Sequence, residues 1–155
     1  MQGLEPSVDG FGGLDISDSQ KARITEDMKY IVYLARQLNQ MNETMFKAAL
    51  DRDDSKVKAA AILIASKYKD KYLEEIIERI TDDDIIVNQC ARHSLMKISN
   101  LYIGGNQYVD FGPLLNHHSA TKNSVSILWK VWFEQAKQIQ KDGKKPQPSV
   151  KQKSK

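Results

Sequence analysis

ITDDDIIVNQCARHSLMKI, residues 80–98, lies over LDRDDSKVKAAAILIASKY, residues 50–68, at a constant offset of 30 residues. The alignment pairs Leu50 with Ile80, Asp53 with Asp83, Asp54 with Asp84, Val57 with Val87, Ala60 with Cys90, Ala61 with Ala91 and Tyr68 with Ile98. Each pair has a physical reading. The aspartates suit the start of a helix, where a short carboxylate accepts from unpaired amides and meets the positive end of the helix dipole. The valines open an apolar face that Leu95 and Ile98 continue in the second copy, and the small residues let a neighbouring helix approach closely. Tyr72, Leu73, Ile76, Ile77 and Ile80 supply the apolar face of a preceding helix. A two-helix unit of this length buries little surface alone, so consecutive copies must stack and share a core.

Working outward, neither glycine nor proline occurs between Leu14 and Ile103. That gap excludes a turn-rich β fold and predicts an all-α chain. Ile24, Met28, Ile31, Ala35 and Leu38 recur at steps of four and three, one stripe of a helix over 18–39 that begins after the cap candidates Ser17, Asp18 or Ser19. Met45, Phe46, Ala49 and Leu50 predict a shorter second helix. A long connection over about 99–120 carries the breakers Gly104-Gly105 and Gly112-Pro113, and Val125, Leu128, Trp132, Ala136 and Ile139, widened by Trp129 and Phe133, predict a terminal helix. The expected organisation is a flexible acidic segment 1–17, a helical repeat domain 18–140 and a disordered basic tail 141–155.

The pattern of Asp, Val, Ala, Leu and Ile over residues 42–100 resembles HEAT-type repeats of the short, roughly 30-residue kind found in bacterial relatives of phycobilisome lyases. The arginine that commonly follows the valine is here Lys58 or Asn88. A loop followed by a Trp-rich last helix is similar to the end of many such chains. The resemblance implies a short right-handed superhelix of helical hairpins closed by a C-terminal capping helix, with a surface for partners.

Composition agrees with one soluble domain. The chain has 155 residues, 41% hydrophobic and 28% charged, enough to bury a core without disulfides or metal. No apolar run approaches the roughly 18 residues of a membrane span, and MQGLEPSVDG has neither the basic nor the apolar region of a secretory signal. A cytoplasmic location is the expectation. The net charge of +3 conceals a segregation. Glu5, Asp9, Asp15 and Asp18 give the first 20 residues −4, whereas Lys141, Lys144, Lys145, Lys151, Lys153 and Lys155 against Asp142 give the last 15 a charge of +5.

No cluster reads as a catalytic site, and neither a metal nor a cofactor is expected. Asp110-Phe111-Gly112 matches a kinase metal-binding triplet, yet the Gly-rich loop, strand lysine and catalytic-loop residues that triplet requires do not precede it. Phe111 is expected to anchor the loop instead. His117 and His118 diverge as neighbours and lack a second ligand pair, His93 reads as a partly buried helix residue, Asp82-Asp83-Asp84 reads as a capping turn, and the lone Cys90 reads as a buried filler. The expected function is a non-enzymatic interaction or scaffold module that binds another protein. Its candidate surface comprises Lys56, Lys58, Asn88, Gln89, Arg92 and Trp129. The alternative is weak binding of nucleic acid or an anionic surface through Lys56, Lys58, Lys67, Lys69 and the lysine tail. A bilin lyase or isomerase, which the resemblance also allows, has no pocket marked in the sequence.

Overall fold

The computed structural model describes residues 18–114 and 118–147, and these form six α-helices with no strand. The helices are α1 (Asp18–Asn39), α2 (Glu43–Leu50), α3 (Ser55–Ile64), α4 (Leu73–Glu78), α5 (Ile85–Ile103) and α6 (Ser119–Lys141), with 3-10 turns at Ala65–Tyr68 and Arg79–Thr81. The chain is therefore all-α. Helix α3 is the hub, packed against α1, α2 and α5, while α4, the turn after it and α6 pack around α5. The burial pattern follows from that placement. Helix α1 buries only one stripe, Ile24, Met28, Ile31 and Ala35, whereas Ala59, Ala60, Ala61, Ile62 and Leu63 of α3 are all buried because neighbours surround it.

The two aspartates aligned by the 30-residue offset have the same role. Asp54 precedes α3 in an extended conformation and its Oδ1 accepts from the amides of Lys56 (2.9 Å) and Val57 (3.2 Å). Asp84 precedes α5 and accepts from Ile86 (2.9 Å) and Val87 (3.4 Å). Asp54→Ala and Asp84→Ala are each expected to lower the unfolding free energy by about 1 kcal/mol. Urea unfolding of the two variants checks this; a loss below about 0.3 kcal/mol in either would mean the caps do not set the helix starts.

Ties between groups about 30 residues apart link successive helical segments. Glu43 accepts from Tyr72 Oη and Lys71 Nζ, Lys47 pairs with Glu75 at 2.9 Å, and Tyr102 Oη donates to Asp70. Tyr72 and Tyr102, themselves 30 residues apart, thus each end on a carboxylate of the preceding segment. Tyr72, Leu73, Ile76, Ile77 and Ile80 are buried as the spacing predicts, and so is Cys90.

Four expectations change. Met45 and Leu128 were expected on buried faces and are 49% and 43% exposed. On α6 the inward stripe runs Val125, Trp129, Trp132, Phe133 and Ala136, which turns Leu128 outward beside Ile127 and Val131. The connection is shorter than 99–120, since α5 continues to Ile103. Ser99 and Asn100 stay helical because their side chains serve the loop: Ser99 Oγ accepts from the Val109 amide (3.0 Å), and Asn100 Nδ2 donates to the carbonyls of Gly105 and Gln107 (2.9 Å each). The basic tail does not begin unstructured at Lys141. Residues through Gln147 fold back on α6, where Pro146 is buried and the Trp132 indole N–H finds the Gln147 carbonyl at 3.1 Å. The acidic segment 1–17 with Ser17, His117, and the tail beyond Gln147 lie outside the described residues.

Candidate binding surface

The loop after α5 is clamped by the residues that the sequence places on an outer surface. Arg92 grips Asp110 with two parallel bonds, Nε to Oδ1 at 2.8 Å and a terminal nitrogen to Oδ2 at 2.6 Å. Gln89 Nε2 donates to the Pro113 carbonyl at 2.8 Å, and Trp129 Nε1 donates to the Gly112 carbonyl at 2.9 Å. Asn88 Nδ2 donates to the Asp82 carbonyl at 3.0 Å. Phe111 stands edge-on to Trp129, 5.0 Å between ring centres, so it anchors the loop on the core. Gly112 adopts φ +94°, a left-handed conformation for which a Cβ is unfavourable.

This geometry corrects the expected surface. Asn88, Gln89 and Trp129 are 4%, 1% and 0% exposed, and their polar atoms are used inside the protein. Gln89 and Trp129 face inward because the loop between α5 and α6 lies over them, and Asn88 turns back onto the Asp82 carbonyl just before its own helix. Arg92 is mostly covered as well. Asp110 is half of an ion pair rather than a metal ligand: burial alone would raise its pKa, but hydrogen bonds and charge from Arg92, with the Gly112 amide, hold it below the usual carboxylate value.

The remaining candidates lie elsewhere. Lys56 reaches α1, 3.6 Å from Asp27 and over the Tyr30 ring at 5.9 Å, and Lys58 is half-buried on α3. His118 is exposed at the start of α6. Two potentially reactive groups are enclosed: burial pushes the Cys90 thiol far up, and it pulls His93 down to about 4 with help from the Arg92 charge.

A different surface brings cations together. A cleft of about 320 Å³ opens between α1, the end of α3 and α5. Val32, Ala35, Leu63 and Ile64 provide its apolar wall, and Arg36, Lys67 and Lys97 its charge. Asn39 and Ser66 add polar groups, and Lys67 Nζ also donates to the Asn39 carbonyl at the end of α1 (2.6 Å).

Comparison with protein-family models, with curated proteins and with solved structures finds no match to this chain. The surface therefore rests on its own geometry. Sequence reading missed the cleft although its signal was present: Lys67 and Lys97 are partners at the 30-residue offset, and Arg36 precedes Lys67 by 31 residues. Reading the repeat for shared charge, as well as shared apolar positions, would have found it.

Proposed function

We propose that this chain is a non-enzymatic interaction module built from HEAT-like hairpins, with α2 and α3 as one unit, α4 and α5 as the next, α1 as the second helix of an incomplete preceding unit, and the Trp-rich α6 as the cap of a short right-handed superhelix. The observation that carries this reading is the repeated register. Identical aspartate caps at Asp54 and Asp84, paired tyrosine–carboxylate ties from Tyr72 and Tyr102, and the cations Arg36 of α1, Lys67 of the turn after α3 and Lys97 of α5 recur at about 30 residues. Repeat stacks of this kind present extended surfaces whose recognition groups recur with the repeat. The polar groups most suggestive of chemistry, Asp110 and Arg92, are engaged in holding the loop. A single buried thiol suits a cytoplasmic setting.

The test is capture of partners from the source organism's lysate, using the full chain beside a form ending at Gln147, which preserves the acceptor of Trp132. The expected result is the same protein partner on both forms at moderate salt. Recovery of nucleic acid alone, lost as salt rises or with removal of Lys151, Lys153 and Lys155, would replace the module by a basic-tail binder.

A further inference from the structure

We infer that the outer face of α6 is a dimer interface, on which a second copy of this chain packs its own α6 antiparallel to the first. The inference stands apart from the interaction-module reading. Ile127, Leu128 and Val131 are 62%, 43% and 37% exposed, and they form one patch because residues three and four apart on a helix are neighbours. Trp129, Trp132 and Phe133 are buried on the other side of the same helix. Single exposed aliphatic residues are ordinary, but this patch covers a full helical turn with no polar atom in its three side chains. Tyr30 and Tyr33, the large exposed residues of α1, differ in carrying hydroxyls that water can serve.

Charge complementarity indicates what covers the patch. Lys130 and Glu134 are exposed along one edge of it, and neither has a hydrogen-bond or ion-pair partner among the described residues. A lysine four residues before a glutamate is the weaker order for a pair within one helix. Across an antiparallel pair of α6 helices centred near Val131, Lys130 of each copy comes beside Glu134 of the other, so one sequence supplies two ion pairs. Parallel pairing would set lysine against lysine and glutamate against glutamate, which is unfavourable. In the antiparallel pair Val131 meets its own counterpart near the twofold axis, and Ile127 lies against the aliphatic stem of the second copy's Lys137. Residues 148–155 suit the face poorly: they offer Val150 as their one large apolar residue and would add Lys151, Lys153 and Lys155 to an edge that already carries Lys130, Lys137 and Lys141. The 23 residues of α6 make a strip about 35 Å long and about 10 Å wide, roughly 350 Å² per copy and under half of a standard interface. The dimer is therefore reversible, with a dissociation constant on the order of 10–100 μM.

Sedimentation equilibrium of the full chain from about 5 to about 500 μM tests this. The average mass is expected to rise from one chain toward two and stop there, because an isologous contact closes at a dimer. Val131→Glu sets two carboxylates together at the axis and is expected to weaken association at least about tenfold, with an unchanged far-UV circular dichroism spectrum because the side chain replaced is exposed. Ile127→Gln with Val131→Gln gives the same reading should the glutamate disturb the helix. Lys130→Glu and Glu134→Lys are each expected to weaken the dimer at least about threefold, and the two combined to restore it to within about twofold. Apolar contact alone would not produce that restoration. A native chain that stays monomeric at the highest concentration, growth beyond a dimer, a dimer indifferent to Val131→Glu, or single charge reversals without effect would each overturn the proposal. Binding of phosphatidylserine vesicles by a chain that remains monomeric would overturn it too, and would assign the face to a membrane surface.

Discussion

Trp129→Ala is expected to lower the unfolding free energy by about 3–5 kcal/mol, the range for truncating a large buried aromatic. Its indole is fully buried, stacks on Phe133 at 6.1 Å, meets Phe111 edge-on and donates to the Gly112 carbonyl. Truncation would thus open a cavity, leave a carbonyl without its donor and release the Phe111 anchor together. Trp129→Phe separates these effects. It retains a ring and loses the N–H, so its expected cost is nearer 1–2 kcal/mol. Urea unfolding measures both, and amide exchange at Val109, whose N–H is held by Ser99, reports whether the loop loosens before the helices do. A loss under about 1 kcal/mol for Trp129→Ala would show that α6 and the loop do not share one core.

Acidification is expected to reveal His93. Burial, then the charge of Arg92, pulls its pKa from 6.5 to about 4, against the opposing charge of Asp110. Its Nδ1 is buried without a hydrogen-bond partner among the described residues. Above pH 6.5 the ring is neutral in folded and unfolded chains and nothing is lost. As pH falls from 6.5 toward 4, the unfolded chain takes up a proton that the folded protein refuses, and stability declines by on the order of 3 kcal/mol across the window. Asp110 adds a second decline at lower pH: its depressed pKa makes its contribution complete above the unfolded carboxylate value and lost as pH falls through the folded one. Urea midpoints from pH 7.5 to 4.5 should therefore fall less steeply for His93→Leu than for the native chain. Parallel curves for the two proteins would exclude His93 as the source.

The places where sequence reading succeeded and failed have a common physical basis. Asp54, Asp84 and the stripe from Ile24 to Ala35 were legible because capping and amphipathic burial depend on residues within a few positions of one another. Asn88, Gln89 and Trp129 were misplaced because a polar or amphipathic side chain can satisfy itself in water or inside the protein. For Gln89 and Trp129 the choice depended on a distant loop: the Pro113 carbonyl lies 24 residues beyond Gln89, and the Gly112 carbonyl lies 17 before Trp129. Leu128 failed for a related reason. A broad apolar stretch on α6 admits more than one inward face, and packing against the neighbouring helices selected the one carrying Trp129.

The sequence by itself determined an all-helical chain, the starts of α3 and α5, and the 30-residue offset between corresponding positions, since these follow from periodicity, caps and missing breakers. Only the tertiary structure decided that Arg92 and Asp110 form a clamp, that the chain folds back through Gln147, and that Arg36, Lys67 and Lys97 line one cleft. Those outcomes depend on which surfaces meet when the helices stack, and an exposed lysine and a cleft-lining lysine carry the same local pattern until the neighbouring helix is in place.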